Sequence, residues 1–224
     1  MAEQLIVALR ILWWILRRNA RRIIWNLFLA FIPLVLSFWL FRGRRSRSFT
    51  WWLGFVVFFA FLPNAPYILT DIIHLIYDVR AVRSVWIVTI VVFPLHLLFI
   101  ASGFEAYVVS LLNMGYYLYR IGKSQWILAA ELITHALCAV GIYLGRFPRF
   151  NTWDIVTQPD ALVETVIDDI TGKFPLAVMF MTFIITTVLY WLVKQVTLAV
   201  IWRRDPSIFP QHNSKKSNLS QIKN

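Results

Sequence analysis

The chain of 224 residues is 59% hydrophobic and 15% charged, whereas soluble domains average about 45–50% and about 25%, so a soluble enzyme is excluded. Its 18 Phe, 11 Trp and 8 Tyr exclude disorder, because so apolar a chain must bury its side chains in protein or lipid. The net charge of +11 comes from Lys and Arg clusters that flank apolar runs, a pattern that points to anionic lipid headgroups as partners and away from nucleic acid.

At helical spacing Leu5, Leu9, Leu12 and Leu16 share one face and Arg10, Trp14, Arg17 and Arg21 another, which predicts a basic amphipathic helix over 1–22 lying along a leaflet. The first span is expected from Ile23 to about Phe41, closed by Arg42, Arg44, Arg45 and Arg47. A second begins at Trp51 and meets Pro63, Asn64 and Pro66, which must end or kink a helix. The residues that follow, to Leu75, are apolar with polar side chains on one side, as in an interfacial or re-entrant helix. Residues 85–119 are too long for one perpendicular span and barely enough for two joined at Ser102 and Gly103. Trp126 to Leu144 forms a clear span, in which Gly141 and Gly145 have the small-residue spacing that permits close helix packing. A polar loop to Lys173 opens basic and continues acidic, a last span covers about 175–193, and a polar tail from residue 205 is expected to be disordered.

The chain is therefore expected to be an all-α integral membrane helical bundle with five or six transmembrane helices plus the N-terminal amphipathic helix, residues 23–204 making a single transmembrane domain. Charge bias favours six spans. Six spans would, however, put the polar stretches at 63–74 and 145–154 on opposite sides of the membrane. We take one tilted span near 88–112, which gives five spans and brings the two stretches to the same face.

The string Phe61-Leu62-Pro63-Asn64-Ala65-Pro66-Tyr67-Ile68-Leu69-Thr70-Asp71-Ile72-Ile73-His74-Leu75 resembles the signature of a family of bacterial membrane proteins named domain of unknown function 1361. Trp25-Asn26-Leu27-Phe28-Leu29-Ala30-Phe31-Ile32-Pro33 is similar to its early span, and Gly141-Ile142-Tyr143-Leu144-Gly145-Arg146-Phe147-Pro148-Arg149-Phe150-Asn151-Thr152-Trp153-Asp154 to its late motif. The resemblance implies a multi-pass protein of a bacterial inner (cytoplasmic) membrane; it supplies no activity and no cofactor.

Two constellations carry candidate chemistry. The first is a polar rim of Asn64, Thr70, Asp71, His74, Tyr143, Arg146, Arg149, Asn151, Trp153 and Asp154. Helix ends and irregular backbone there can line a polar cavity, and guanidinium forks hold phosphates and carboxylates at two points. Such a rim suits a lipid headgroup, an anion or a metal, with or without catalysis. Its bland counterpart is Thr70 and Asp71 capping a helix, Arg and Trp anchoring span ends, and Asp154 pairing Arg146 or Arg149. One His and one Asp make only half a metal site. The second lies among the four ionisable residues inside apolar spans, His96, Glu105, Glu131 and His135, each costly at mid-membrane without a partner; a Glu-His-Glu cluster of Glu105, Glu131 and His135 would suit a small proton-coupled transporter. In a third reading the protein is a scaffold whose polar residues only fix the fold. The single cysteine, Cys138, leaves no intramolecular disulfide.

Overall fold

The computed structural model describes residues 2–43, 47–82 and 84–204. Every described element is helical. Five helical runs are long and apolar enough to cross a membrane: Ile6–Arg42, Phe49–Ala81, Val85–Arg120, Ser124–Arg146 and Lys173–Ile201. In the most apolar window of Val85–Arg120 only 17% of residues are buried, so most of its apolar side chains face outward, as lipid requires. The protein is thus a multi-pass membrane protein. The polar tail from residue 205, and Arg44 and Arg45, lie outside the described residues.

Helix α1 runs Ala2–Ser37 and continues as a widened π turn over Phe38–Arg42. The expected boundary near residue 22 is absent: the basic amphipathic stretch and the first span are one rod, about 60 Å long at 1.5 Å per residue. No Gly or Pro interrupts residues 2–32, so nothing in the local chemistry breaks the ladder, and Pro33 is carried inside the helix.

The second run consists of α2 (Phe49–Phe61), α3 (Asn64–Tyr67), a 3-10 turn (Ile68–Asp71) and α4 (Ile72–Ala81). The prolines break the ladder without reversing the chain. Trp51 Nε1 donates to Leu40 O at 3.1 Å, Asn26 Nδ2 to Asp71 at 2.8 Å and Asn19 Nδ2 to Asp78 at 2.7 Å. Contacts that climb α2–α4 therefore descend α1 in step, an antiparallel pair along its whole length. The re-entrant alternative at 67–75 is replaced by this bent traverse.

Helix α5 (Val85–Ile87), a π turn (Val88–Val92) and α6 (Phe93–Arg120) form one continuous third run. No hairpin forms at residues 102–103. Ser102 Oγ donates to Leu98 O at 2.6 Å within the helix, and a Cβ at Gly103 would clash with Ile68 Cδ1, so the glycine serves helix approach rather than a turn. After α7 (Ile127–Arg146), α8 (Asp154–Thr157) and α9 (Pro159–Thr171) connect to α10 (Lys173–Arg204).

Five traverses put Gly43, residues 47–48, residues 121–123 and the end of α10 at one end of the bundle. Arg120 donates to the carbonyls of Arg42 and Gly43 there. The start of α1, Val82, Ser84 and the 147–172 connection share the other end, the N-terminal end. The core between them is apolar and aromatic. Phe41 meets Phe58 edge-on at 5.2 Å and Trp51 stacks on Phe55 at 5.3 Å, while Leu62, Ile68, Tyr107 and Leu111 are fully buried nearer mid-bundle.

Candidate functional site

At the N-terminal end the proline break in the second run faces the end of α7. Gly141 permits this approach, since a Cβ on it would lie 2.7 Å from Pro63 Cβ. Gly145 faces the Tyr67 ring in the same way, at 3.3 Å. Beyond Pro63 the helix ladder is interrupted, and Asn64 supplies hydrogen bonds of its own: its Nδ2 donates to Phe61 O at 2.9 Å and to Thr152 Oγ1 at 3.0 Å. The second bond joins the 63–74 and 145–154 stretches directly.

Around that bond lies a half-open cleft of about 550 Å³. Trp25, Leu29, Phe59, Leu137, Val140 and Leu144 give it an apolar wall; Asn26, Asn64, Arg149, Asn151 and Thr152 give it a polar end. Leu162 and Val166 of α9 close part of its mouth. Arg149 has φ 66° and is the single described non-glycine residue with positive φ. A bulky side chain in the left-handed region is uncommon and strained, and the surrounding loop holds it there: Phe150 N donates to Leu144 O at 3.0 Å, and Asn151 N to Asp154 Oδ2 at 2.6 Å.

Asp154 is thereby committed to the loop. Its carboxylate receives Asn151 and also Thr157 Oγ1 at 3.3 Å, and it pairs neither Arg146 nor Arg149. Both guanidinium groups are without a carboxylate in contact among the described residues. Thr70 donates to Tyr67 O at 2.7 Å, a local bond that braces the bend. Tyr143 is buried and stacks on Phe147 at 5.0 Å, away from the cleft lining. Trp153 lines the cleft and is half exposed.

Asp71 and His74 sit behind the cleft wall. Asp71 is 1% exposed and takes its hydrogen bond from Asn26. Arg22 Nε stands 3.9 Å from its Oδ2 and His74 Nε2 3.8 Å from its Oδ1, both beyond hydrogen-bond reach. One α4 turn further, Asp78 is fully buried and clamped by Arg18, by Asn19 at 2.7 Å and by His96 Nε2 at 3.2 Å. That second cluster ties α1, α4 and α6 together.

The intramembrane set does not converge. Glu131 accepts from Lys194 Nζ and Tyr190 Oη, each at 2.6 Å; His135 Nδ1 meets Tyr107 Oη at 2.5 Å; and Glu105 takes Thr197 Oγ1 at 2.8 Å. The His135 and Tyr190 rings pack at 4.7 Å, so Glu131 and His135 are linked only through a tyrosine, with Glu105 apart. No group of three or more His, Cys, Asp or Glu suited to a metal ion occurs among the described residues.

Sequence reasoning left out Asn26, Thr152, Lys194, Tyr107 and Tyr190. The signal for Asn26 was present, since an amide within an apolar run needs a partner as a carboxylate does. Lys194 directly follows the apolar run 175–193 and by sequence reads as its flank, yet α10 carries on past it to Arg204.

No curated protein and no solved structure matches the chain. A family model does, over residues 25–188, described as protein of unknown function (DUF1361). The matched span contains the first-helix asparagine, the proline break, the glycine contacts and the loop that builds the cleft, and the chain belongs to that family.

Proposed function

We propose that the cleft at the N-terminal end binds a lipid-like amphiphile. Its chain lies against Trp25, Leu29, Phe59, Leu137 and Val140, and its polar head meets Asn64, Arg149, Asn151 and Thr152. The carrying observation is the Asn64–Thr152 bond, which brings two stretches 88 residues apart onto a cleft with an apolar wall and a polar end. Sites for small molecules are mostly apolar, with a few placed polar groups that fix orientation. A strained Arg149 held by its own loop supports a ligand-facing role, because such strain persists only where the surroundings over-determine it.

The test is photolabelling in membranes with a phospholipid analogue carrying a photoreactive acyl chain, followed by peptide mapping. Label is expected on peptides containing Trp25, Phe59 and Leu137, and Leu137→Trp should reduce it by filling the cleft. Label spread evenly over outward-facing positions such as Val35, Ile133 and Val188, with no effect of Leu137→Trp, would mean ordinary solvation by lipid.

A further inference from the structure

We infer that Arg22, His74 and Arg146 form a site for a phosphate group behind the cleft wall. The three side chains come from α1, α4 and α7, and they converge at the N-terminal end because the bent second run follows α1 while Gly141 and Gly145 draw α7 against its proline break. Arg22 Nε and His74 Nε2 stand 3.9 and 3.8 Å from Asp71, and Arg146 follows Gly145, whose approach to the Tyr67 ring brings the end of α7 within about one helical turn of Asp71.

Charge accounting sets this cluster apart. Among the described half-buried cations, Lys194 has Glu131 at 2.6 Å, and even the more exposed Arg18 is in contact with Asp78. Arg146 has no carboxylate in contact, because Asp154, its neighbour in sequence, is bound into its own loop. Arg22 donates through Nη2 to Asn19 Oδ1 at 2.9 Å, but its nearest carboxylate is Asp71 at 3.9 Å and its buried Nε makes no hydrogen bond. Asp71 is already engaged by Asn26. Counted along α1 from Arg42, Arg22 lies about 30 Å up the helix, at the rim of a hydrocarbon core of about 30 Å and level with the lipid headgroups. Half-buried positive charge at that rim, short of carboxylates, draws an anion.

The chemistry of the donors selects the anion. Guanidinium forks offer paired N–H groups to two oxygens at once, and His74, whose Nε2 stands 3.8 Å from Asp71 without a hydrogen bond, adds a third donor in the tautomer that carries its proton on Nδ1. Donors that arrive from three helices match a tetrahedral group with several oxygens better than a planar carboxylate with two. Asn26 lines the cleft and donates to Asp71, so cleft and cluster share a wall. The phosphate can come from a phospholipid headgroup lying in the cleft or from free phosphate. Only the first source rests on the amphiphile reading.

The experiment uses the full chain purified in mild detergent and, in parallel, reconstituted in phosphatidylcholine nanodiscs with and without phosphatidic acid. Thermal unfolding is followed against inorganic phosphate in detergent and against lipid composition in nanodiscs. Stabilisation by phosphate, weakened about tenfold or more in apparent affinity by Arg146→Gln and by His74→Gln but unchanged by Arg80→Gln at an exposed position of the same end, establishes the site with free phosphate as a sufficient ligand. Stabilisation by phosphatidic acid alone, lost in Arg146→Gln and in His74→Gln, assigns the headgroup as source. Arg146→Lys keeps the charge and guards against misfolding; it should keep the fold and bind more weakly than wild type. Leu137→Trp should block acyl photolabelling yet leave binding of inorganic phosphate intact, so failure of the cleft reading is separable from failure of this one. No stabilisation by either source, or equal weakening by Arg146→Gln and Arg80→Gln, overturns the proposal, the latter by revealing a merely basic surface.

Discussion

Asn64 bridges a break that its own neighbours create. Pro63 and Pro66 remove backbone donors, and the Asn64 amide answers by binding Phe61 O behind it and Thr152 Oγ1 across the cleft. A double-mutant cycle of Asn64→Leu and Thr152→Val should give a coupling of about 0.6–1.7 kcal/mol, the range measured for hydrogen bonds between membrane helices. Zero coupling, read from unfolding in detergent, would dissociate the two stretches. The need for a partner at Asn64, Asp71 and His96 was legible from the residues alone, because a polar group in an apolar run must be satisfied. Which partner it finds was not legible, since Asn19–Asp78 and Asn26–Asp71 depend on the register of helices 59 and 45 residues apart in sequence.

The bent second run and α7 are held together by glycines whose cost of substitution differs. A side chain at Gly141 would push Pro63, which cannot yield, whereas Gly145 leaves 3.3 Å to the Tyr67 ring. Gly141→Leu should therefore destabilise by about 1–3 kcal/mol through overpacking and abolish acyl labelling of the cleft, while Gly145→Ala should do neither; circular dichroism melts with the labelling assay separate the two. Helix α1 carries a different dependence. Deleting residues 1–20 removes Arg18 and Asn19 from the fully buried Asp78, and stranding a buried charge costs about 3–5 kcal/mol. A large fall in melting temperature is expected, recovered in part by Asp78→Leu in the truncated chain. An unchanged melt would make the N-terminal half of α1 a surface appendage. Hydropathy could not show this linkage, because the amphipathic pattern of 1–22 is the same whether the apolar face meets lipid or α4.

Five traverses leave the two ends of the bundle chemically distinct. Single cysteines at the exposed positions Arg80 and Gln158 should label from one side of oriented vesicles, and one at Lys123 from the other, in a Cys138→Ala background. Labelling of positions 80 and 158 from opposite sides would break the shared face on which the cleft depends. Span number followed from the length of 85–119, barely enough for two spans joined at Ser102 and Gly103, and from the placing of the two polar stretches on one face; the direction of the bend at Pro63 did not, because proline specifies a lost hydrogen bond and not where the chain turns. The clamps on Asp71 and Asp78 also bear on how the newborn chain enters its membrane. Synthesis delivers α1 before either carboxylate exists, with Arg10, Arg17, Arg18, Arg21 and Arg22 at one end opposed by Arg42, Arg44, Arg45 and Arg47 at the other. Flanks so nearly balanced give the translocation machinery little instruction. Ribosome-arrested chains that stop short of Asp71 are thus expected to insert both ways round, and those long enough to expose Asp78 to settle on one, which protease protection of the two nascent lengths would read directly.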